Sequence, residues 1–596
     1  MARIDDNELK TLKWLLDRLQ VSEDWCRPYF DRAKRHYRLY RFGSAVDDDK
    51  WPYVNRARSR DILAFIEDST SLLVQTLFAS MPFFSVIPRE TRVLYTMYEG
   101  IDPMAIGDQI ARCLDYQISH EETEFFPEIV DYFKAGTIYG NSYIGIYPKF
   151  DNDGSYRLPL IKNTDFWDLL PIVGARRVTK ARGVFIREFV DIEELQRLQG
   201  QGIYKNVKQL TGRDSVGSDP DKDWHKSLLE EIGMTDYRPD DTDIEVIHYI
   251  SGGHIITLAN RKTVIRNSNE QAQEMTTQAS EAGQMVDPRM LQPFPYNMPI
   301  VQYKYMPVPM EFYGMGIPEV LEVLQEDKNL IRSARRDNID LVIQKIIKAR
   351  SGADINFDLI KHYPGAIWPM ENLSDLEPWE TTDVTASSYN EEAMREHDME
   401  NALSLFGYAR GMTPQHSEQP TTVMKLQQAS LNRLDLSIKL AEFGVLQNIA
   451  TRIILLTRRF MKQETYEAIV GDQDAGFYRI TEEDIRRFYH FKPIGSSVTN
   501  IKEIRQTQIQ AALQLVGAIP PEIMMANVEP FTVNYYEAYK TALDALDIKN
   551  ADRILIKLQQ NPMAQMGGGM GMPGMEQGMG QPQDMEQLAQ IFYGRK

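Results

Sequence analysis

The sequence predicts an α+β fold, mainly α, and three observations carry that expectation. Two long helical patterns, Ile317 to Ala349 and Thr421 to Met461, repeat apolar side chains at helical spacing. Between residues 142 and 190, and again around Gly252-Gly253, apolar and polar residues alternate in short runs broken by Asp, Gly and Pro, as antiparallel strands require. With 596 residues the chain is long enough for several such units.

In chain order, residues 1 to about 45 predict amphipathic helices, with Leu12, Leu15, Leu16 and Leu19 on one side. The following aromatic and basic run places Tyr29, Ala33, His36 and Tyr40 on one face, a packing surface rather than a platform for stacked bases. Trp51 to Arg56 leads into an apolar helix, Ile62 to Phe78, and then the run Met81 to Pro88. A helix from Phe126 to Lys134 passes into an alternating strand, Ser142 to Tyr147, with glycines at 136, 140 and 145. A phosphate cradle needs strand, glycine turn and helix in that order, and here the order is reversed. From Ser142 to Val190 one antiparallel sheet is expected, then a helix from Ile192 to Gln199. Residues 205 to 242 read as a charged excursion. Ile244 to Ile250 and His254 to Ile265 read as a hairpin, Asn267 to Asp287 as an exposed polar loop, and Pro299 to Tyr305 as a strand.

Gly316-Ile317-Pro318 opens the first long helix, with proline in its favoured first turn. Ile317, Val320, Leu321, Leu324 and Ile331 form one apolar stripe, and Ile339, Val342, Ile343 and Ile346 a second. Between them, Gln325 to Asn329 and then Arg332, Arg335, Arg336 and Asp337 put polar groups nearly all around the helix. Such a rod, roughly 50 Å long at about 1.5 Å per residue, needs water or like rods beside its polar middle. Arg350 to Ala386 is punctuated by Ser351-Gly352, Pro364-Gly365, Pro369 and Pro378 and predicts a small unit with short strands. Ser387 and Ser388 then cap an acidic helix to about Phe406, and Gly407 to Pro420 is a breaker-rich loop. The long helix from Thr421 follows, with Leu434, Ile438, Ala441, Val445, Leu446, Ile449 and Ile453 on a broad apolar side. After it come a short strand, Tyr489-His490-Phe491, helical runs between 501 and 560, and a tail, 561 to 596, rich in Met, Gly and Gln and expected to be disordered.

Two cysteines, Cys26 and Cys113, exclude a disulfide framework and read as buried or incidental thiols in a reducing compartment. The N-terminus lacks a signal-peptide core, and the stretch nearest to a membrane span, Ser71 to Pro88, is interrupted by Gln75, Ser80 and Pro82. His120-Glu121-Glu122 lacks the second histidine of a zinc protease helix. Acidic pairs such as Glu121-Glu122, Glu230-Glu231 and Glu482-Glu483 read as solvated faces rather than magnesium ligands. No catalytic constellation, cofactor motif or metal site is expected, and the chain is not expected to be an enzyme. The formal net charge of −18 is unlike that of a protein that grips DNA and reads first as ordinary acidic solubility; it is also compatible with a wall along which phosphates slide.

Helix, compact insert, second helix, polar loop and long helix, in that order from Ile317 to Met461, resemble the portal proteins of tailed bacteriophages. The Trp51 to Pro88 and Tyr132 to Tyr147 stretches strengthen the likeness, which spans about residues 50 to 555. The resemblance implies an N-terminal wing (1–316), a first stem helix (317–349), a clip (350–386), a second stem helix (387–406), a tunnel loop (407–420), a long wing helix and wing edge (421–500) and crown helices (501–560). It also implies a dodecameric ring at one capsid vertex, with double-stranded DNA passing through it during packaging and ejection. Its expected partners are further copies of the chain, the major capsid protein and scaffold, the terminase large subunit, and head-tail adaptor or tail proteins, with no membrane. Its expected location is the virion, after assembly in the host cytoplasm. By the same likeness Arg410, Gln415, His416, Gln419 and Lys425 line the channel, Arg332, Arg335 and Arg336 belong to the stem, and Trp368 and Trp379 sit on the docking clip. Two other classes stay open: a non-portal virion scaffold or adaptor, and a magnesium-dependent nucleic-acid enzyme. An alternative register, with the clip inside 205 to 300, would make Ile317 to Ala349 the second stem helix.

Overall fold

The chain divides into two compact units, Met1–Ser497 and Val498–Lys596. The computed structural model describes residues 6–46, 50–78, 82–98, 102–151, 154–207, 210, 243–281, 292–344, 346–351, 376–379, 385–403, 432–471 and 476–493, all in the first unit. The tunnel loop, the crown helices and the tail lie outside the described residues, as do Trp368, Arg410, Gln415, His416, Gln419 and Lys425.

The described chain is mixed α+β and mainly helical, as expected. It opens with α1, Asp6–Phe42, a single helix where several were expected. Leu15, Leu19, Cys26, Phe30 and Ala33 recur on one side of α1 and are buried. They join a cluster with Phe166, Phe185 and Tyr313, while Leu39 reaches into the largest core. Helices α2 (Asp61–Leu77), α4 (Pro103–Ser119) and α5 (Phe125–Tyr139) supply much of that core. Between α2 and α4 lie β1, Phe84–Pro88, and α3, Thr91–Met97.

The strands after α5 form two sheets rather than the single sheet expected. In the first, β2 (Asn141–Phe150) pairs antiparallel with β3 (Tyr156–Thr164) on one edge and with β9 (Ile300–Lys304) on the other. Both edges of β2 are therefore occupied, and the next strand, β4 (Leu169–Pro171), belongs to a second sheet. Its order is β4, β5 (Val184–Asp191), β6 (Asp243–Ser251), β7 (His254–Ala259) and β8 (Thr263–Asn267). The expected second arm of the hairpin is two strands, because Asn260 and Arg261 both take positive φ and turn the chain. Helix α6, Ile192–Gly200, lies where the sequence placed it.

The polar stretch after β8 is a helix, α7, Ser268–Glu281, and not the expected loop. Its Glu, Gln, Ala and Met are good helix formers, and their polarity marks exposure rather than irregular backbone. Asn267 Oδ1 accepts from Asn269 N at 3.2 Å and starts the first turn.

Two further helices, α8 (Ile317–Ile343) and α9 (Thr385–Leu403), pack side by side. Helix α8 stops short of Ala349, because Ile347–Ala349 is strand β10, paired antiparallel with β11, Leu376–Pro378. One short strand, β11, thus falls within the insert and pairs with β10, which occupies residues expected to end the helix; 352–375 and 380–384 lie outside the described residues.

The long helix is described from Asn432. Helix α10 (Asn432–Ala441) runs through a π turn, Glu442–Leu446, into α11, Gln447–Phe460. The π turn inserts one extra residue and re-aims the apolar face. By composition the helical stretch Leu436–Phe460 is long and apolar enough to cross a membrane, and 67% of its apolar window is buried in the protein. Ile449, Ile453, Ile454 and Leu456 are fully buried at the centre of the largest core. Helices α12 (Gln463–Val470) and α13 (Glu482–Phe488) lead to β12, Tyr489–Pro493, which pairs with β1. Both cysteines are buried, and neither forms a disulfide.

Candidate channel hairpin

The α8–β10/β11–α9 hairpin is the segment on which the sequence placed its stem and clip, and it is held in three zones. At the root, backbone approaches backbone. Gly140 ends α5 with φ +82°, and a Cβ on it would lie 2.3 Å from the Gly314 carbonyl oxygen. A Cβ on Gly316, the residue before α8, would lie 2.3 Å from the Ile138 oxygen. Buried Asn141 ties the two backbones: its Nδ2 donates to Phe312 O at 3.2 Å and its Oδ1 accepts from Gly314 N at 2.9 Å. Gly140 thus anchors the start of α8, while Gly136 makes room for the Tyr303 ring, 2.6 Å from where its Cβ would lie. Ile317 and Leu321 from α8, with Met399 and Leu403 from α9, seal this end in the largest core.

In the middle zone most of the buried polar side chains of α8 find partners within the chain. Gln325, Asn329, Ser333 and Asp337 recur every fourth residue, and the first three are fully buried. Facing them is the extended segment between α1 and α2. Gln325 Nε2 donates to Ser59 O at 2.8 Å, Asn329 Oδ1 accepts from Ser59 N at 2.8 Å, and Asn329 Nδ2 donates to Gly43 O at 2.8 Å. Ser333 Oγ accepts from Ala57 N at 3.0 Å, and Asp337 accepts from Val54 N at 3.0 Å and Asn55 N at 2.8 Å. One helix step of four residues rises about 6 Å and two residues of extended chain span about 6.6 Å. Donors at 55, 57 and 59 therefore stay in register with acceptors at 337, 333 and 329. Glu326 closes the near end, accepting from Ala45 N at 2.7 Å.

The seam between α8 and α9 is ionic. Lys328, wholly buried, bridges Asp61 Oδ2 at 2.9 Å and Glu396 Oε1 at 2.6 Å. Arg332 and Arg335 both clasp Glu392, the latter at 2.7 Å, and the Arg335 guanidinium lies 4.1 Å from the Tyr389 ring centroid. Burial raises the Glu392 carboxyl, but the hydrogen bonds from Arg332 and Arg335 outweigh it and hold the group below the usual range. Arg336 is exposed, with no ion-pair partner among the described residues.

At the distal end α8 loses its company. Ile343 is 69% exposed, Ile346 54% and Trp379 51%, with Leu341 and Ile347 also exposed. Trp379 N donates to Ile346 O at 2.6 Å, extending the β10–β11 pairing, and Lys348 Nζ lies 4.4 Å from the Trp379 ring centroid.

The structure thus brings Arg332 and Arg335 to one carboxylate, leaves Arg336 in solvent, and puts Trp379 beside the β10–β11 pairing. The polar ladder, Lys328, Glu392 and Glu396 were missed as a set in the sequence. Amide and hydroxyl side chains at 325, 329 and 333 were the available signal, because side chains four apart share one face. Among the acidic pairs, Glu482 is held by Arg459 at 2.8 Å, Glu122 lies 3.7 Å from Lys149, and Glu230-Glu231 falls outside the described residues. Among the described residues no group of three or more His, Cys, Asp or Glu is placed to hold a metal ion. No protein-family model matches this chain, and no curated protein is significantly similar to it.

Proposed function

We propose that this chain is a portal subunit of a tailed bacteriophage. Copies assemble into a dodecameric ring at one capsid vertex, double-stranded DNA passes through it, and the clip receives first the packaging motor and then the tail. The observation that carries this reading is the hairpin: fixed at its root and middle by the chain itself, and exposed and apolar at its far end. Ile343, Ile346 and Trp379 form a surface that a lone soluble protein gains nothing by displaying, and packing against sister copies removes it from water. Because most of the polar middle is satisfied internally, the inference of neighbours rests on this distal zone alone. The net charge of −18 agrees with a conduit that does not grip its cargo.

Negative-stain images and mass photometry of the purified full chain test the reading. Rings with a central hole are expected. A compact monomer at micromolar concentration refutes it, a lower closed oligomer points to an adaptor, and metal-dependent cleavage of DNA points to a nuclease.

A further inference from the structure

A cavity of ≈ 480 Å³ opens between β2 and β3 on one side and β5 to β8 on the other, closed at one end by Phe460. This volume falls in the range of small-molecule sites. Its wall is mostly apolar, with Tyr147, Ile250, Ile255 and Phe294 inside, and Phe150 and Leu160, both partly exposed, among its lining. The polar groups are few. Lys162 and Glu188 neutralise each other at 3.4 Å. His248 is bound to Thr257 Oγ1 at 3.0 Å, and burial pushes its pKa down to about 4, so the imidazole is neutral at pH 7. Arg266 remains, lining the cavity with no ion-pair partner among the described residues.

A guanidinium only donates and keeps its positive charge at any working pH. With Lys162 and Glu188 cancelled and His248 neutral, the cavity carries one uncompensated positive charge inside a chain of net charge −18. An anion satisfies Arg266, and a single carboxylate matches that one charge in a planar, bidentate geometry. The apolar wall demands a hydrocarbon body behind the carboxylate and disfavours free phosphate or nucleotide, whose charge would be buried against it.

We infer that this cavity binds an apolar monocarboxylic acid, its carboxylate on Arg266 and its hydrocarbon body against Tyr147, Ile250, Ile255 and Phe294. The site is independent of the hairpin and of the ring reading. Isothermal titration of the full chain with octanoate, and with octanol as the uncharged comparator, tests it. Octanoate is expected to bind at one site per chain, with octanol weaker by about tenfold or more, the worth of a charged hydrogen bond. Arg266→Gln should remove that preference and leave octanol binding unchanged. Leu160→Trp, which places an indole in the cavity, should abolish both and decides the matter should Arg266→Gln fail to fold. Absence of octanoate binding to the unaltered chain, equal affinity for octanoate and octanol, or octanoate binding that survives Leu160→Trp would overturn the assignment.

Discussion

Replacing Asn329 by Leu tests whether the α1–α2 connection is zipped to α8 by its buried polar ladder. The substitution keeps a side chain of similar size and removes the acceptor of Ser59 N–H and the donor to Gly43 O, each at 2.8 Å and in buried residues. An unpaired buried backbone group costs about 1–3 kcal/mol, so losing two costs about 2–6 kcal/mol. Local opening should then become at least roughly thirtyfold more frequent. Amide hydrogen exchange reads this directly: protection of Ser59 should collapse while amides within α5 keep theirs. Ser333→Ala orphans only Ala57 N–H and should give a smaller loss. Asp337→Ala acts where water can replace the carboxylate and should give the least. If Asn329→Leu changes Ser59 exchange by less than about threefold, or if Asp337→Ala loosens the segment equally, the ladder is not what holds it.

The α8–α9 seam should be sensitive to acid. The folded Glu392 carboxyl is held below its ordinary value of 4.5, so its stabilisation is complete above that pH and is lost as pH falls through the depressed value. Exchange protection in α9 should stay flat from pH 7 to 4.5 and drop below it, and Glu392→Gln should remove the pH-dependent part. Gly316→Ala forces a Cβ to within 2.3 Å of the Ile138 oxygen and should lower the melting temperature by several degrees, whereas Gly444→Ala meets nothing within 4 Å and should leave it unchanged or higher. Under the portal reading, the pair Arg410→Ala and His416→Ala should impair DNA packaging or retention while rings still form; unchanged packaged length and retention would count against a channel role for those residues.

Helix existence was the most legible part of the sequence, because α2, α5, α8 and α11 carry strong apolar periodicity. Ile62 to Phe78 was expected and Asp61–Leu77 is found. The Gly136 to Asn141 passage was also read in the right sense, helix into strand. Sheet partition was not legible, since nothing local in β4 reveals that β9, far along the chain, already occupies the free edge of β2. The stretch after β8 was misread because low hydrophobicity was taken for loop, although Glu, Gln and Ala favour a helix on an exposed surface. The polar middle of α8 was seen as a problem needing neighbours, yet its solution lies some hundreds of residues earlier in the same chain. A hydrogen-bonding stripe has no hydrophobic contrast to announce it, and its partner is backbone, which has no sequence signature at all.

The pairing of β1 with β12 bears on how the protein is made. Arg89 and His490, hydrogen-bonded at one end of that ribbon, are 401 positions apart, so the first unit cannot complete the ribbon until nearly all of it has left the ribosome. Until then Phe84 and Val86, both buried in the finished fold, have no strand to cover them. Synthesis from the N-terminus therefore leaves the β1 edge without its mate until Tyr489–Pro493 has been made.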